Sequence, residues 1–110
     1  MALNIYDVVF WEADGEPDTI YTVIAETHLE AVELAENDRR NRLSQGSAGI
    51  HPYADAVCLL GPLAVPGAQP QILHGPFLET GCTRGETWLY DPMYKKWFTH
   101  EDYYKPRTES

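Results

Sequence analysis

The chain has few of the residues that usually announce a chemistry. Its two cysteines, Cys58 and Cys82, stand apart, without the C-x-x-C spacing of a zinc or redox site. Two reduced, mostly buried thiols are the expectation, and no disulfide is indicated. No run of about 18 apolar residues occurs, so no membrane-spanning helix is expected. The opening MALNIYDVVFWEADGE has no basic stretch and reaches an acid at Asp7, unlike a secretory signal, and a cytoplasmic location is expected. Neither G-x-x-x-x-G-K-[ST] nor G-x-G-x-x-G is present; the glycines cluster with prolines, which do not form anion-binding loops. Repeats at solenoid periods and low-complexity tracts are absent too. No cofactor is implied.

Positive charge is missing from the first third. Residues 1–38 hold ten acids and no Lys or Arg, a local charge of −10, and the seven acids and eight basic groups that follow leave the rest at +1. An acidic module of this kind repels nucleic acid and attracts a basic protein surface, although acidic faces also serve solubility alone. Tyr94-Lys95-Lys96-Trp97, with Lys105 and Arg107, interleaves rings and cations as nucleic-acid binders do. The −10 module opposes phosphate contacts, so nucleic-acid binding is not expected.

What is present reads most clearly from Thr19 to Gln45. Thr19–Ala25 is rich in β-branched and aromatic residues, as a half-buried strand requires. Thr27 with Glu30 three residues on forms a capping box, and the helix formers that follow predict a helix over 27–45 that stops at Gly46. At 100° per residue, Leu29, Ala31, Val32, Ala35 and Leu43 share one broad face, with Leu34 to its side. Arg39 and Arg42 fall on that same face, so the second half of the helix is expected to project past the sheet. Glu36/Arg40 and Asp38/Arg42 are spaced i, i+4.

Leu3–Glu12 reads as a first strand whose apolar run Val8–Trp11 suggests cover on both faces. Asp14-Gly15 and Pro17 mark a turn, which makes a hairpin over 3–26. Ala56–Leu60 has the length of a buried strand. Four prolines and three glycines between Gly61 and Pro76 predict a long irregular connection over 61–77, with a brief edge strand at Ile72-Leu73. A second hairpin over 85–99 turns at Asp91-Pro92-Met93, and Thr99-His100-Glu101-Asp102 starts one helical turn. Residues 105–110 read as a frayed polar tail. Seven of the thirteen aromatics lie between Trp88 and Tyr104, more than one sheet face needs, so some tyrosines should be exposed as interface anchors.

Three residue sets merit a chemical reading. His51, Asp55 and Cys58 include the types of a thiol nucleophile and its base, but Cys58 sits in an apolar run that favours an inert thiol. His28, His51, His74, His100, Cys58 and Cys82 have no zinc-like spacing. Glu12/Asp14 and Glu16/Asp18 are paired carboxylates on an expected open turn, where no acid–base tuning arises.

Two strands followed by T-x-x-E-A-x-x-L-A, here Thr27 to Ala35, resemble the opening of many small phage and mobile-element proteins, and in general style some anti-CRISPR inhibitors. The resemblance covers about residues 5–45. It implies a non-enzymatic accessory protein that binds another protein, and acidic members of that group can imitate nucleic-acid charge.

The expectation is thus one α+β domain of β-β-α order, followed by further antiparallel strands, with one main helix on a sheet of four or five strands. Its function is read as protein binding or inhibition through an acidic surface offered to a basic partner. Glu12, Asp14, Glu16, Asp18, Glu33, Glu36 and Asp38 carry the charge, and Tyr94 or Tyr103 the apolar anchor. The alternatives are a small metal or thiol enzyme built on His51, Asp55 and Cys58, and a homodimer joined through the aromatic hairpin edge.

Overall fold

The computed structural model describes residues 2–12, 17–44, 52–79 and 86–104. The elements run β1 (Leu3–Phe10), β2 (Asp18–Ala25), α1 (His28–Ser44), β3 (Ala56–Leu63), β4 (Gln71–Glu79), β5 (Glu86–Asp91), β6 (Lys96–Thr99) and α2 (His100–Tyr104). The class is α+β, and every strand pair is antiparallel in one sheet of order β4-β2-β1-β3-β5-β6. The described residues therefore form six strands and two helices, rather than four or five strands under one helix.

The undercount comes from the prolines of Gly61–Pro76. That stretch supplies the end of β3 and most of β4, so the edge strand expected at Ile72-Leu73 is present but far longer, and less of the connection is irregular. A proline lacks the N–H for a ladder bond, but an edge position does not need it. Pro76 lies in β4, at the end of the sheet order. Pro62 lies beyond the part of β3 that β5 covers, since β5 pairs only with Ala56–Leu59. At Gly75, φ is 123°, and an added Cβ would come within 2.8 Å of the Ile20 carbonyl oxygen. Only glycine lets β4 approach β2 so closely.

Strand alternation sends side chains to two covered faces. Tyr6, Val8 and Phe10 of β1, Tyr21, Val23 and Ala25 of β2, and Val57 of β3 pack under Ala31, Val32 and Ala35 of α1. On the opposite face Val9, Ile20, Ala56 and Leu89 form a second cluster, against which Tyr103 of α2 packs. This accounts for the unbroken run Val8-Val9-Phe10, whose residues are all buried. Each such large apolar side chain stabilises by about 1.5–3 kcal/mol relative to exposure.

The start of α1 is capped as its sequence predicts. The Glu30 N–H donates to Thr27 Oγ1 at 3.1 Å, and Glu30 Oε1 reaches back to accept from the Glu26 N–H at 2.7 Å. The buried stripe is narrower than expected, because Leu29 is 55% exposed. It also extends further. Arg39 continues the line Ala31–Ala35 and is 5% exposed, so the helix has not left the sheet there. α2 is capped by Thr99, whose Oγ1 accepts from the Asp102 N–H at 3.1 Å. Gly46, the Leu43 side chain, the turn at Asp14-Gly15 and the tail 105–110 lie outside the described residues.

Candidate cation-binding cleft

Several carboxylates singled out in the sequence are engaged inside the fold. Glu12, just beyond β1, forms an ion pair with Arg39 at 2.9 Å and accepts from the Thr19 hydroxyl. The Arg39 guanidinium also lies 4.7 Å from the centre of the Phe10 ring. Asp38 accepts from the Tyr21 hydroxyl at 2.9 Å and pairs with Arg42 at 2.6 Å. Burial, and then Asp38, push the Tyr21 phenol well above its ordinary range. Glu12 and Asp38 thus tie the second half of α1 to β1 and β2. Glu33 is exposed and Asp18 partly exposed at the start of β2, whereas Asp14 and Glu16 lie outside the described residues.

The two tyrosines part company. Tyr94 is exposed at the β5–β6 turn and meets Phe98 edge-on at 6.1 Å. Tyr103, expected as an exposed anchor, instead packs against the second core cluster. A five-residue helix is too short for periodicity to show which way Tyr103 faces.

The thiol and metal sets do not assemble among the described residues. Cys58 is fully buried, and the Thr87 hydroxyl donates to its Sγ at 3.4 Å. Alternation along β3 places it with Ala56 on the α2 side, while Asp55 faces a cleft on the α1 side. His51 and Cys82 lie outside the described residues. His28 stacks flat on Trp88 with ring centres 4.2 Å apart, His74 is exposed on the edge strand β4, and His100 opens α2. No group of three or more His, Cys, Asp or Glu among the described residues is arranged to hold a metal.

Among the described residues, a cleft of about 560 Å³ opens between α1, the segment before β3 and the β5–β6 hairpin. Its α1 wall is Val32 and Glu36, and its opposite wall is Tyr90, Pro92 and Trp97. Tyr53, Ala54 and Asp55 form the floor and rim. The backbone holds the segment firmly: the Asp55 N–H donates to the Val9 carbonyl at 2.9 Å, and the Asp55 carbonyl accepts from the Tyr90 N–H at 3.1 Å. Asp55 Oδ2 accepts from the Trp11 N–H at 2.8 Å. Tyr90 and Trp97 are directly opposite across the hairpin, with ring centres 5.4 Å apart and planes inclined by 59°. The hairpin turn is set by Asp91 Oδ1, which accepts from the Met93 N–H at 2.8 Å, and by Lys95 at φ 55°.

Glu36 is the charged centre of this cleft. Its Oε2 accepts from the Ala54 N–H at 2.8 Å, which leaves Oε1 for an incoming donor. Burial raises its pKa above the ordinary carboxylate value; the Ala54 N–H and the Arg40 charge oppose the rise, and Asp55 and Glu33 add to it. Arg40 itself donates to Asn37 on the exposed side of α1. A half-buried carboxylate among aromatic rings is an arrangement that attracts a cation.

Of the cleft residues, Glu36 was legible as an acid and Tyr90 and Trp97 as hairpin aromatics. Tyr53 carries no such mark, because it stands in a loop of small residues with no pattern around it. The cleft residues come from three separate stretches of chain, a convergence that spacing does not encode. Comparison with protein-family models, curated proteins and solved structures yields no match, so the functional reading rests on this geometry.

Proposed function

We propose that this chain is a non-enzymatic accessory or inhibitor protein that docks on a partner with a basic surface. The observation that carries the reading is the cleft, which Tyr53, Tyr90 and Trp97 line together with the half-buried carboxylate of Glu36. Aromatic rings and an acid together favour basic side chains, and large rigid rings are the usual anchors of protein interfaces. Glu33, one turn from Glu36 and exposed, extends the negative potential outward, and the net charge of −9 steers cations toward the molecule.

Selection from a random peptide library tests this directly. Recovered peptides should be enriched in Lys or Arg, and their affinity should fall between about 50 and about 500 mM salt as surface charge is screened. Recovery of neutral or acidic peptides, with affinities indifferent to salt, would remove the basis of the proposal.

A further inference from the structure

We infer that the cleft is a receptor for a single arginine side chain of that partner, an inference that rests on the basic-partner reading. The molecule already contains the arrangement once. Arg39 lies 4.7 Å over the Phe10 ring while its guanidinium nitrogens reach Glu12 at 2.9 and 3.0 Å. Three residues earlier on the same helix, Glu36 shares the cleft with aromatic rings, the same two chemical parts that hold the Arg39 guanidinium.

The wall favours a guanidinium over an ammonium. A guanidinium is planar and weakly hydrated, so it stacks on rings and enters an apolar-lined site with less loss of hydration than a lysine ammonium. Val32, Ala54, Pro92 and the rings of Tyr90 and Trp97 line the cleft with carbon. A guanidinium's five N–H donors can bond Glu36 Oε1 and still keep others for water at the mouth of the cleft. The volume of about 560 Å³ lies within the range of small-ligand sites and admits a whole side chain with its flanking backbone. The charged groups around Glu36 are Glu33 and Asp55, which reinforce attraction of a cation, and Arg40, which opposes it from outside.

The probes are N-acetyl-arginine methylamide, its lysine counterpart and its uncharged citrulline counterpart, followed by the NMR signal of the Trp97 indole N–H. The arginine probe should shift that signal saturably and bind at least about fivefold tighter than the lysine probe, with no saturable shift from citrulline. Glu36→Gln should weaken arginine binding by about tenfold or more, since a hydrogen bond to a charged group is lost. That variant keeps a carbonyl to accept from the Ala54 N–H. Tyr53→Ala, at a side chain that is 62% exposed, should weaken binding without disturbing the fold. Equal binding of arginine and lysine, binding of citrulline, or no saturable shift overturns the inference. Should library-derived basic peptides bind while Trp97 stays unperturbed, the arginine receptor fails and the basic-partner reading survives. Should no basic peptide bind at all, both fail.

Discussion

Arg39 occupies a position that an apolar residue would normally fill, one turn beyond Ala35 on the buried line of α1. The carboxylate of Glu12 and the face of Phe10 help to make the charge tolerable there. Removing one member of a buried pair strands the other, so Arg39→Ala should destabilise the fold by about 3–5 kcal/mol in urea denaturation. The double variant Glu12→Leu with Arg39→Met should recover most of that loss, because a well-packed apolar pair replaces the ions. A cost below about 1 kcal/mol for Arg39→Ala would show that the pair behaves as a surface bridge. The helical wheel places Arg39 on the buried face, yet the same placement predicts that the helix leaves the sheet. What decides between them is Glu12, 27 residues away in sequence, and no local spacing points from one to the other.

Caps are the parts of the elements that the sequence makes legible, because they are local. Thr27 with Glu30, and Thr99 before α2, do what their side chains predict. The end of β3 and most of β4 escape a local reading because proline counts against a strand unless its edge position is known, and edges are a property of the assembled sheet. The first turn of α1 carries a pH dependence of its own. Burial against Trp88 lowers the pKa of His28, while Glu86 draws it back upward. A depressed imidazole contributes stability that is present above the ordinary value of 6.5 and is lost as pH falls through the lowered folded-state value. Glu36 acts in the opposite sense. Its raised pKa favours the fold below the ordinary carboxylate value of 4.5, and that contribution is lost as pH rises through the raised folded-state value. Urea denaturation of the His28→Phe variant separates the two, since phenylalanine keeps a ring on Trp88 and does not titrate. Relative to the unmodified chain, its stability should hold up better as pH drops from about 7.5 to about 5.5. Parallel curves for the two proteins would show that His28 contributes nothing to the acid response.

At the scale of the whole molecule, the formal −10 of residues 1–38 overstates the field a partner meets. Glu12 is neutralised by Arg39, Asp38 by Arg42, and Glu36 is half-buried, which leaves acids such as Glu33 to face solvent. Attraction at a distance and capture in the cleft are therefore assigned to different residues, and kinetics can tell them apart. A charge at the rim changes the rate of encounter, whereas a buried hydrogen-bonding charge changes the rate of escape. With an arginine-bearing peptide in stopped-flow, Glu33→Lys should slow association by about threefold at about 50 mM salt, and the difference should close by about 500 mM. Glu36→Gln should leave association within about twofold and raise dissociation by about tenfold at either salt concentration. An effect of Glu33→Lys that persists at high salt, or a Glu36→Gln effect confined to association, would mean that long-range charge rather than the cleft holds the partner.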